Sequence, residues 1–140
     1  FGQDSKGTIW LDKSGGAIRA RKDQLPGTLI DFYSVQGGFV CEGSRASVMV
    51  AMPDNPLLQL GPLKYQENRV LHDPRVPHPD IALPYAWLMT NYWETNFAAG
   101  LGGFHAFRFS IMATSEDDPR EGLSMLSAVN AGFVCFRIGR

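Results

Sequence analysis

The sequence predicts a mainly β fold, an antiparallel β-sandwich with one short helix near the C-terminus. Three observations predict it. Short runs rich in β-branched and aromatic residues recur along the chain. Fifteen glycines and nine prolines among 140 residues separate those runs with turns. One helix-compatible stretch, after Asp118, stands alone. Dominant strands, short turns and a single intruding helix make the pattern of a sandwich or open barrel.

Residues 8–11 read as a first strand, closed by the turn Lys13-Ser14-Gly15-Gly16 and returning as a hairpin through 17–20. Residues 29–36 form the next apolar run, ended by Gly37-Gly38. Residues 39–41 are a short strand and 42–45 a polar turn. Residues 46–52 alternate, with Ala46, Val48, Val50 and Met52 on one face and Ser47, Met49 and Ala51 on the other, as a half-buried strand requires. Pro53 and Pro56 bracket a loop before the short run 57–60. Residues 64–84, with Pro74, Pro77, Pro79 and Pro84, read as a long surface loop. Residues 85–97 are apolar on both faces, which predicts a central strand covered on both sides. Gly100, Gly102 and Gly103 turn the chain into 104–111, with Phe107, Phe109 and Ile111 inward and Arg108 and Ser110 outward. The helix is expected over 120–128, capped by Asp117 or Asp118 with Pro119 at its first position. Leu123, Leu126 and Met125 would form its buried stripe, and Asn130 or Gly132 would stop it. Residues 133–138 read as a last strand.

An apolar fraction of 44% and a charged fraction of 19% fit one folded domain over residues 1–140. A net charge of −1 supplies no field to gather nucleic acid or an anionic membrane. Arg19, Arg21 and Lys22 are read as a solvated strand end beside Asp23. No apolar run approaches the ~20 residues that span a bilayer. The expectation is a soluble chain, compatible with the cytoplasm. Cys41 and Cys135 lie among apolar residues and are read as buried reduced thiols. The chain opens at Phe1 within ordinary domain sequence, which suggests excision from a longer polypeptide.

Several motifs, in order, carry a resemblance. Gln24-Leu25-Pro26-Gly27, Asp31-Phe32-Tyr33-Ser34-Val35-Gln36 and Pro53-Asp54-Asn55-Pro56-Leu57-Leu58-Gln59-Leu60-Gly61 resemble the post-catalytic β region of bacterial family 38 glycoside hydrolases, the α-mannosidase family. The strongest likeness is Tyr85-Ala86-Trp87-Leu88-Met89-Thr90-Asn91-Tyr92-Trp93-Glu94-Thr95-Asn96-Phe97, followed by Gly102-Gly103 and Phe107-Arg108-Phe109-Ser110. Gly37-Gly38 and Thr90 depart from the family pattern. The resemblance implies a fragment of a galactose mutarotase-like supersandwich. It also implies a parent whose zinc, Asp nucleophile and acid/base carboxylate lie on an upstream α/β domain. The His-x-Asp pair of that domain precedes a parallel-sheet domain; here the spacing occurs only as His78-Pro79-Asp80 in the proline-rich loop, with no such domain behind it, so no cofactor is expected in this segment.

The run Asn91, Trp93, Glu94, Thr95 and Asn96 offers amide and carboxylate hydrogen bonds beside an aromatic face, the combination that holds sugars. With Arg108 on the next strand it forms the candidate carbohydrate contact. The same residues also fit a core strand ending in a turn, and for Arg108 a buried ion pair with Glu94 is the favoured reading. Asp117 with Asp118 reads as a helix N-terminus. Asp73 with Asp80 lies in the proline-rich loop and makes a poor dyad for a retaining glycosidase. His72, Asp73, His78 and Asp80 match no metal-binding spacing, and His105 reads as a strand-surface histidine. No residue is assigned to catalysis or to a metal. The chain is therefore expected to be an accessory domain, not an enzyme alone. Its partners would be the rest of the parent glycosidase chain, carbohydrate, or a second copy in a homo-oligomer. An autonomous carbohydrate-binding module and a structural oligomerisation domain are the alternatives.

Overall fold

A computed structural model of the chain describes residues 5–61, 83–89, 100–115 and 118–132. In order it contains β1 (Ser5–Lys13), β2 (Gly16–Arg19), β3 (Phe32–Ser34), β4 (Gly38–Gly43), β5 (Ser47–Ala51), β6 (Leu57–Leu60), β7 (Pro84–Ala86), β8 (Ser110–Thr114) and α1 (Pro119–Ala131). Two antiparallel sheets result, one ordered β2-β1-β4-β5-β8 and the other β3-β6-β7. The mainly β fold with one C-terminal helix is the fold the sequence predicts.

Period-two alternation sorts the five-stranded sheet into two covered faces. Ile9, Leu11, Phe39 and Cys41 point to the three-stranded sheet and pack with its Tyr33, Leu58 and Leu60, joined by Ala20, Val35 and Met52 from connecting segments. On the opposite face Val40, Met49 and Ala51 meet Leu123 and Leu126 of the helix, with Trp10 and Met112 at the margin. The helix therefore adds a third layer. It explains why Ser47, Met49 and Ala51, expected to be merely one side of a half-buried strand, are the more deeply buried face of β5.

The helix begins where the sequence places it. Asp118 is the N-cap, Pro119 occupies the first turn, and Gly132 is the C-cap. It runs to Ala131, past the expected 128. Its buried residues are Pro119, Gly122, Leu123 and Leu126, an i, i+3, i+4, i+7 stripe. Met125 falls off that stripe and is 44% exposed, which corrects its assignment to the core.

Two strand expectations are corrected. The strand expected over 104–111 forms instead at Ser110–Thr114, and its phase is reversed. Register pairs Met49 with Met112 and Val50 with Ile111. Met112 thus turns to the helix, while Ile111 turns to a face the narrower sheet does not reach and is 71% exposed. Phe109 is also exposed and Phe107 half-buried, so the inward trio does not exist. The central strand expected over 85–97 appears as β7, at the end of the three-strand order, with Tyr85, Leu88 and Met89 exposed. Residues 90–97, residues 64–82 of the expected loop and the last strand over 133–138 lie outside the described residues, and the loop's final residue, Pro84, opens β7. The run over 29–36 contracts to the three residues of β3.

Candidate functional site

Of the candidate carbohydrate contacts, Asn91, Trp93, Glu94 and Asn96 lie outside the described residues. Arg108 is described, and its acidic partner there is Asp54. Its Nε donates to Asp54 Oδ2 at 2.8 Å, its Nη2 to Oδ1 at 2.8 Å, and its backbone N–H to Oδ2 at 2.9 Å. The guanidinium is 77% exposed, so this pair is a surface fork, and the expected pair with Glu94 falls outside the described residues. The fork pins the segment before β8 to the β5–β6 loop.

Asp54 opens a densely bonded region in that loop. Next to it, Asn55 is 2% exposed. Its Oδ1 accepts from the Leu57 N–H at 3.0 Å, the local turn that Asn side chains favour. Its Nδ2 donates to the Trp87 carbonyl across 32 positions. Trp87 is then held a second time, because its Nε1–H donates to the Oε1 of buried Gln59 at 2.6 Å. The other end of Gln59 donates to the Gly61 carbonyl at 2.6 Å. Trp87 also meets the Phe32 ring edge-on, with centroids 5.0 Å apart.

A second cluster ties the two sheets at the β2 end. Arg21 has φ 64°, a region costly for a residue with a side chain. Its backbone N–H donates to Gln24 Oε1 at 3.0 Å and to the Tyr33 hydroxyl at 3.1 Å, while that hydroxyl donates to Gln24 Oε1 at 2.7 Å. Its guanidinium donates to the Ile30 carbonyl at 3.3 Å and the Leu60 carbonyl at 3.0 Å, and lies 3.5 Å from Asp31. Arg21 is thus a structural strut, which corrects its reading as part of a solvated strand end. Arg19 pairs with Asp23 at 2.6 Å, as an exposed i,i+4 pair, and Lys22 donates to Thr8 Oγ1 at 2.9 Å.

The ionisable groups of this region are displaced from neutrality. Hydrogen bonding to Arg108 holds Asp54 at about 2, and Arg19 does the same for Asp23. Burial pushes the Tyr33 hydroxyl up to about 12 and the Cys41 thiol up to about 11. Such groups are poor proton donors or acceptors near pH 7. Asp118 accepts from the Arg120 N–H at 2.9 Å as a helix cap. His105 is exposed. Asp117, His72, Asp73, His78, Asp80 and Cys135 lie outside the described residues. Among the described residues no group of three or more His, Cys, Asp or Glu side chains is placed to hold a metal.

Asp54, Asn55 and Gln59 have larger roles than sequence reasoning assigned them. The pattern Asp54-Asn55 between two prolines was a usable signal for the turn. Nothing local signalled their distant partners.

Comparison with protein-family models, with curated proteins and with solved structures finds no match to this chain.

Proposed function

We propose that this chain is a non-catalytic accessory β-sandwich of a glycosidase resembling the family 38 α-mannosidases, supporting the parent's catalytic domain or the wall of its active site. The observation that carries the proposal is where the motifs bearing the resemblance meet. Residues 31–36 supply β3, 53–61 supply β6, and 85–87 supply most of β7 and the Trp87 anchor, so the three motifs build one sheet. Gln24 from the first motif bonds Tyr33 of the second, and Arg108 from the last bonds Asp54 of the third. These polar side chains bond one another and leave little to offer a substrate. That is the chemistry of a supporting body, and it accords with the displaced pKa values above.

In this reading zinc and the carboxylate pair belong to the catalytic domain of the parent chain, the principal partner. Purified chain, assayed with aryl α-mannosides and zinc, is expected to give no turnover above the buffer blank. Zinc-dependent turnover that follows the chain through purification would overturn the proposal. The gene is expected to encode an α/β domain with a His-x-Asp pair upstream of Phe1. A reading frame without one would remove the glycosidase parent.

A further inference from the structure

We infer that the outer face of the three-stranded sheet binds a single six-membered ring bearing an anionic group. This inference does not rest on the accessory role proposed above. Register sets Gln59 opposite Phe32 on one side and Tyr85 on the other, and Ser34 opposite Leu57, while Tyr33 and Leu58 point to the core. Against that outer face lies a cavity of about 200 Å³, lined by Phe32, Tyr33, Ser34, Leu57, Leu58 and Trp87. A dry apolar cavity of roughly 150 Å³ admits benzene, whereas drug-sized ligands take upwards of about 300 Å³. The space suits one ring.

Its walls and its surroundings differ in chemistry. Trp87 has one polar side-chain atom, Nε1, and that atom is already bonded to Gln59. The indole therefore offers hydrocarbon to the cavity, as do Phe32 and Leu57. At Ser34, which lines the cavity, Lys13 Nζ donates to the backbone carbonyl at 2.5 Å and to Oγ at 3.0 Å, so an ammonium stands beside a lining residue. An ammonium has three donors, so one remains, and among the described residues no carboxylate pairs with Lys13. Ser34 Oγ accepts from the lysine, which leaves its own proton to donate outward. An apolar hollow with an ammonium bonded to one of its lining residues is complementary to a ring carboxylate. Two sources share that chemistry: an aromatic acid, and a uronic acid with its apolar ring face against Trp87.

Two-dimensional NMR of the chain, following the Trp87 indole N–H and the Ser34 amide, tests the site with benzoate and with glucuronate. Saturable shifts of both signals with either acid are expected, and the tighter binder identifies the source. Benzyl alcohol, a neutral ring, should bind about tenfold more weakly than benzoate, and Lys13→Met should weaken the acid by a similar factor. Leu57→Trp, which fills the cavity from an exposed position, should abolish the shifts. Silence of both signals at millimolar acid would overturn the inference. Equal binding by wild type and Lys13→Met would do so too.

Discussion

Asn55→Ala strands two backbone groups at once, the Leu57 N–H and the Trp87 carbonyl. An unsatisfied buried group costs about 1–3 kcal/mol, so the substitution should lower stability by about 2–4 kcal/mol in chemical denaturation. A change within about 0.5 kcal/mol would show that Asn55 is no strut. The exposed pairs act through pH. Asp54 and Asp23 have folded values near 2, below the unfolded carboxylate value of about 3.9. Their stabilising effect is complete above the unfolded value and is lost as pH falls through about 2. Carboxyl-carbon NMR should give midpoints near 2 for both, and midpoints near 4 would mean that the arginine forks do not persist in solution. At this scale the sequence was legible only locally. Asp54-Asn55 between prolines announced a turn, and Asp118-Pro119 a cap, because both depend on neighbouring backbone. The Asp54–Arg108 pair spans 54 positions, and no local pattern encodes which acid an arginine will find.

The helix is the element most exposed to a direct test, because neighbouring positions 125 and 126 are one open and one buried. Leu126 is fully buried against Val40, Met49 and Ala51, whereas Met125 faces solvent. Leu126→Ala should cost about 2–5 kcal/mol, and Met125→Ala should stay within about 0.5 kcal/mol. Comparable losses for both would rotate the helix away from its assigned face. Close approach to the sheet depends on Gly122, where a Cβ would stand 3.0 Å from the Met49 sulfur. Gly38 is needed for a related reason. Its φ is 151°, and a Cβ would collide with the Val50 carbonyl on the paired strand. Element types were readable from periodicity, but faces were read less well. Alternation says that residues two apart share a side, and it cannot say which side will be covered. Ile111 took the reverse of its expected side because the helix covers one face of β4 and β5, with Met112 of β8 at its margin, while the three described strands of the second sheet stop short of the other face.

At the scale of the whole molecule, the described residues form two sheets of unequal width and show an apolar surface, with Ile111, Phe109 and Phe104 all exposed. A supporting domain separated from its neighbour should show such a surface and self-associate through it. Sedimentation should find association that rises with concentration and falls with Ile111→Lys; a monomer at every concentration would argue against a docking role for that face. The predominance of strands was legible from composition and turns, whereas sheet width, strand order and the second apolar face depend on long-range pairings that periodicity does not carry. The central claim is that the motif residues are bonded to one another to assemble the second sheet. Hydrogen exchange of the Trp87 indole N–H, followed by NMR in the native chain and in Gln59→Leu, tests it most directly. Strong protection in the native chain that collapses in the variant is the predicted result. Rapid exchange in the native chain would contradict the account, since Trp87 would then not be fastened to the sheet that bears its motif.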